Sequence, residues 1–119
     1  MTRFMPRDLG KQRVYIDFSL FTPGSAVGVI HGLFEVEVVP KKGDFVAFEK
    51  AKSAIAPPDV SAFTPRILVE EVLPPVEGTT DNLLCLADVT VASRAEALKL
   101  AEYFQDGFGL YFDDHELTN

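Results

Sequence analysis

A single cysteine, Cys85, rules out an intrachain disulfide. Two histidines, His31 and His115, leave little imidazole for catalysis or metal binding, and tryptophan is absent altogether. The sequences G-x-S-x-G, H-E-x-x-H, C-x-x-C and the Walker phosphate loop do not occur. No apolar run approaches the roughly 18 residues of a membrane-spanning helix, and no secretory apolar stretch follows the basic start. These absences lead to the expectation of a cytoplasmic chain without a membrane role or a cofactor, and more a binding protein than an enzyme.

Basic residues are scarce after Val69. Met1 to Val69 carries nine Lys or Arg against seven Asp or Glu, whereas Glu70 to Asn119 carries two against eleven. So acidic a half repels phosphate backbones, which argues against general nucleic-acid binding. It suits a basic protein partner, a cation, or plain solvation, the last being the commonest meaning of such a charge bias.

What is present is apolar and patterned. Hydrophobic residues make up 47% of 119 residues, with ten Phe and three Tyr. That is enough for one domain with a phenylalanine-rich core and no metal or disulfide staple. The expected division is a basic N-terminal arm at 1–13, a single α+β domain at 14–113 and an acidic tail at 114–119.

Val14, Ile16, Phe18 and Leu20 alternate with Tyr15, Asp17, Ser19 and Phe21, the period of a half-buried strand. Thr22-Pro23-Gly24-Ser25 fits a type II turn. A long strand, Val27 to Val39, should pair back, with Ile30, Phe34, Val36 and Val38 inward and Gly28 and Gly32 marking a bulge or bend. A short strand at Phe45 to Phe48 follows the Pro40–Asp44 turn. Glu49 to Pro65 reads as a surface excursion, with one helical turn at 58–63 and Phe63 pinning it to the core.

Ile67 to Leu73 is a strand whose apolar parity changes at Glu70-Glu71, as a bulge would require. It pairs through a 74–81 loop with a strand at Leu83 to Val91. Ser93-Arg94-Ala95-Glu96 is a capping box. The helix it opens, about 93–106, places Ala97, Leu98, Ala101 and Phe104 on one face and Glu96, Lys99, Glu102 and Tyr103 on the other. Gly107 is its expected stop, with Phe108 folding back on Tyr103. A short strand at 110–112 closes the set.

Sequential hairpins imply an antiparallel sheet. The expected fold is α+β and mostly β: a strongly bent antiparallel sheet, or a small SH3-like or OB-like barrel, of five or six strands with one C-terminal helix packed on it. An open sheet with the helix across one face is the alternative.

Three candidate activities remain. The first is a non-enzymatic interaction module whose acidic half engages a protein partner, as an immunity-like protein or a phage or assembly accessory would. The second is a small-molecule or divalent-metal site with His31, Glu35 and Glu37 lining a barrel mouth, or with Asp113 and His115 as ligands, because carboxylates and imidazole suit divalent cations. The third is self-association through sheet edges, the strand at 14–21 and that at 110–112. Cys85, between Leu84 and Leu86, reads as a small buried hydrophobe.

Overall fold

A computed structural model describes residues 12–48, 58, 60, 63–75 and 81–115. Strand β1 (Gln12–Thr22) runs into β2 (Ser25–Val36). After a turn come β3 (Phe45–Ala47), β4 (Arg66–Leu73), β5 (Asn82–Leu86) and β6 (Val89–Thr90). Helix α1 (Arg94–Phe108) and strand β7 (Tyr111–Asp114) complete the described chain. Arg13, assigned by composition to the basic arm, is the second residue of β1, and Asp114, assigned to the tail, is the last of β7. The rest of the arm (1–11), the tail from 116, and most of the 49–65 excursion, with 59, 61 and 62 of its expected helical turn, lie outside the described residues.

The sheet has the order β3-β4-β5-β1-β2-β7, with β6 also on β1. It is α+β and mostly strand, as expected, but the sheet is open rather than closed into a barrel. It is also mixed: β1 pairs antiparallel with β2 and parallel with β5 and β6. The purely antiparallel reading fails because β5 forms its hairpin with β4 and then lies along the far side of β1. Hence β1 is interior and not an edge, while β7 is an edge among the described strands.

The β1–β2 hairpin contains a parity problem. Partners across a pair share a face. The inward residues of β1 are even-numbered (Val14, Ile16, Phe18, Leu20), and so is Ile30 of β2. A two-residue loop pairs Thr22 with Ser25 and Phe21 with Ala26, which would set even against odd along the whole ladder. The register therefore shifts between Leu20 and Phe21, and from there Leu20 faces Gly28 and Phe18 faces Ile30. Gly24 has no positive φ, so the turn is not type II.

The expected strand from Leu83 to Val91 is broken. Its pairing with β1 stops at Cys85 and resumes at Val89. In the gap the Ser19 N–H donates to the Asp88 side chain at 3.3 Å, and the Ala87 N–H to the Leu68 carbonyl at 2.8 Å. The break exchanges parity: Leu84 and Leu86 are buried before it and Val91 after it. The expected bulge in β4 is present between Val69 and Glu71.

Ser93 caps α1, accepting from the Glu96 N–H at 3.3 Å. The Glu96 carboxylate reaches back one residue further than a capping box requires, accepting from the Ala92 N–H at 3.2 Å. The helix runs past Gly107 and stops at Gly109, whose φ of 70° is the left-handed conformation of a C-cap. Its buried face is Ala97, Leu100, Ala101, Tyr103 and Phe104, so Leu98 and Tyr103 are exchanged relative to the expected faces. Leu98 is 40% exposed, whereas Tyr103 turns in and its hydroxyl donates to the Phe48 carbonyl.

The core lies between α1 and the sheet and centres on Phe48. Its ring lies 5.0 Å from Phe34, 5.1 Å from Phe104 and 5.3 Å from Phe108, the last two edge to face. Phe63 reaches Phe104 at 6.0 Å and Phe108 returns to Tyr103 at 5.4 Å, both as expected. Such pairs add about 0.5–1.5 kcal/mol each beyond burial.

Two glycines admit β7. A Cβ on Gly28 would lie 2.3 Å from the Asp113 carbonyl oxygen and 2.5 Å from the Phe112 ring. Gly32 has φ +148° and would press Leu110 at 3.0 Å.

In urea denaturation, Phe104→Ala is expected to cost about 3–5 kcal/mol, while Leu98→Ala costs about 0.5 kcal/mol or less. Gly28→Ala should cost about 1–3 kcal/mol, with the loss concentrated in faster amide exchange of β7.

Candidate functional site

Because α1 and the phenylalanine cluster take the even-numbered face of β1, the odd-numbered face is left outward. Among the described residues no element packs over it. Across the strands it presents Glu71 and Leu73 of β4, Leu83 and Cys85 of β5, Tyr15, Asp17 and Ser19 of β1, Val29, His31 and Leu33 of β2, and Tyr111 and Asp113 of β7. Large apolar side chains remain open to water here: Tyr111 is 64% exposed, Leu33 45%, Leu73 39% and Tyr15 37%.

His31 is the centre of this face. Asp17 is its partner on β1 and Tyr111 its partner on β7. The Nε2 atom lies 2.9 Å from Asp113 Oδ2 and Nδ1 lies 2.7 Å from the Tyr15 hydroxyl. Since an ionised carboxylate only accepts, Nε2–H donates to Asp113, and in the neutral ring Nδ1 then accepts from the Tyr15 O–H. The Tyr15 and Tyr111 rings flank the imidazole at centroid distances of 6.1 and 5.7 Å. The result is a hydrogen-bonded chain, Tyr15–His31–Asp113, spanning three strands and pinning β7 to the hairpin.

Asp17 completes the cluster. Burial pushes its carboxyl above the ordinary range; His31 pulls it back and Asp88 adds a smaller push upward. Beside it, the Cys85 thiol is also pushed up, by burial first and then by Asp17, Glu71 and Glu70. Cys85 is thus a protonated thiol in an acidic setting and a poor nucleophile. Arg13 and Lys42 stand at the margin of the face, paired with Asp81 at 3.4 Å and Glu71 at 3.8 Å.

Of the residues singled out from sequence, the structure brings His31 and Asp113 together. Glu35 lies four residues further along β2, about 13 Å away at strand rise, and Glu37 is exposed just past the strand end. His115 follows β7, its N–H donating to the Val27 carbonyl at 2.9 Å. Among the described residues no three His, Cys, Asp or Glu side chains are grouped to hold a metal ion. Tyr15, Asp17, Asp88 and Tyr111 were not singled out. Locating them needs the bulged register that puts Asp17 beside His31.

A cavity of about 500 Å³ lies elsewhere, at the β1–β2 hairpin tip and the start of α1, lined in part by Thr22, Ser25, Ser93 and Arg94. There the Arg94 guanidinium is 2.5 Å from Asp114, which is 8% exposed. What the fold and face define is a small α+β domain with an open mixed sheet, one side sealed by a helix and the other acidic and aromatic. No family model, no curated protein and no solved structure matches the chain.

Two measurements probe this electrostatic setting. The folded Asp17 carboxyl binds its proton more tightly than the unfolded one, so its ionised form costs stability at neutral pH. That cost disappears as pH falls below the unfolded value of 3.8. Asp17→Asn should therefore raise the urea midpoint at pH 7, with the difference closing towards pH 3–4. Cys85 should react with iodoacetamide at pH 8 several-fold more slowly than a free thiol, and faster in Asp17→Asn.

Proposed function

We propose that this chain is a non-enzymatic interaction module that binds a basic protein partner through the outer face of its sheet. The observation that carries this reading is the composition of that face. Exposed Tyr15, Leu33, Leu73 and Tyr111 supply apolar contact area, and Asp17, Glu71, Asp88 and Asp113 surround them with negative charge. Exposed apolar side chains grouped within a polar surround are what a docking site requires. Tyrosine rings also offer their faces to Lys and Arg at about 0.5–1 kcal/mol per contact. A Cys85 thiol pushed up by burial and by Asp17, Glu71 and Glu70 argues against thiol chemistry on this face.

The test is affinity capture from cells of the source organism at low and high salt. Wild type should retain basic proteins that a Tyr111→Ser/Leu33→Ser double variant retains at least about tenfold less, a loss of about 1.4 kcal/mol. Leu98→Ser, on the opposite side of the molecule, should bind like wild type. Capture should weaken at 0.5 M salt, where screening is strong. Binding indifferent to the double variant rejects this face as the docking surface.

A further inference from the structure

Resting on that reading, we propose that the partner engages by strand addition: a basic, extended segment pairs with the open edge of β7, its Lys or Arg side chains lying on the outer face.

β7 hydrogen-bonds β2 along Tyr111 to Asp114, and among the described residues no strand lies on its other side. In an antiparallel ladder the backbone groups of successive residues point alternately to the two sides. The His115 N–H bond to the Val27 carbonyl sets the phase, so the backbone groups of Tyr111 and Asp113 face β2 while the Phe112 N–H and carbonyl point away, a template for another chain. The edge is also firmly placed. Gly28 lets it approach β2 closely, His31 bonds to Asp113, and Arg94 of the helix holds Asp114.

Chemistry selects the occupant. Tyr111 and Asp113 share the outer face, 64% exposed in the first case and with a side chain 63% exposed in the second. A strand added about 4.8 Å away places its own outward side chains beside them. A Lys or Arg there meets the Asp113 carboxylate and the Tyr111 ring together. The intervening residues of the added strand would face the Phe112 side, where a β-branched or aromatic residue fits. A second copy of this chain is the poorer occupant. Two β7 strands paired about a two-fold axis bring Asp113 and its symmetry mate directly opposite or one diagonal apart, and like charges so placed repel.

The probe is a pool of seven-residue peptides with Lys fixed at three alternate positions and the others randomised, selected on the intact protein. A matching pool carries Glu at the fixed positions. Selected Lys peptides should bind at least tenfold more tightly than their Glu counterparts and slow β7 amide exchange at least tenfold. N-methylating the alternate amides that face β7 should weaken binding at least tenfold, while N-methylating the opposite set leaves it within about twofold. Equal binding of the two N-methylated forms overturns strand addition while leaving an acidic docking face intact. Strand addition that is insensitive to Tyr111→Ser/Leu33→Ser keeps the edge and removes the face as the docking surface. No enrichment from the Lys pool, or β7 protection that instead follows a concentration-dependent dimer, overturns the proposal outright.

Discussion

A sheet has two faces, and the described part of this chain has one helix with which to cover them. Helix α1 brings Leu100, Tyr103, Phe104 and Phe108 onto a single side, where Phe48 and Phe34 meet them. Each fully buried ring contributes about 1.5–3 kcal/mol, so this side holds the fold together. Everything else follows from which side it is. Once Val14, Ile16, Phe18 and Leu20 are committed to the helix, strand alternation puts Tyr15 and Asp17 on the other side.

Much of this frame is legible in the sequence because it is local. The Ser93 cap, the alternation of β1, the β4 bulge at Glu70-Glu71 and the return of Phe108 to Tyr103 each depend on residues within a few positions of one another. Where the answer depends on distant segments, local pattern misleads. Leu83 to Val91 alternates well enough to look like one strand, but Asp88 supplies a side-chain acceptor to Ser19, 69 residues away, and the ladder breaks there. Parallel pairing of β5 with β1 leaves no short-range signature, because the segments joined are 68 residues apart. Tyr103 looks polar on a helical wheel; it is inside because the Phe48 carbonyl waits there for its hydroxyl.

The site was half legible for the same reason. His31 and Asp113 stand out as rare or clustered chemistry in the sequence. Their meeting at 2.9 Å depends on β7 landing beside β2, which Gly28 and Gly32 permit. Asp17 and Tyr15 do not stand out, since an Asp or Tyr on an alternating strand is ordinary. Their importance comes from the single-residue shift between Leu20 and Phe21. Without it, Asp17 would face Ile30 and no cluster would form. The bulge needed to keep phenylalanine and isoleucine in the core is therefore also what assembles the charged face.

Stability alone does not account for that face. Asp17 is held where burial disfavours its charge, with Asp88 nearby to disfavour it further. Asp113 also serves the fold by accepting from His31, whereas a neutral residue would satisfy the sheet equally well at position 17. Instead the carboxylates cluster around exposed tyrosines, and Arg13 and Lys42 remain at the margin with partners of their own. The charge that carries this cost sits on the interior strand β1, with β2 between it and β7. A positive group held near Asp17 would favour its ionised form and so offset the cost that burial imposes there, which ties any such binding by linkage to the stability of the folded chain.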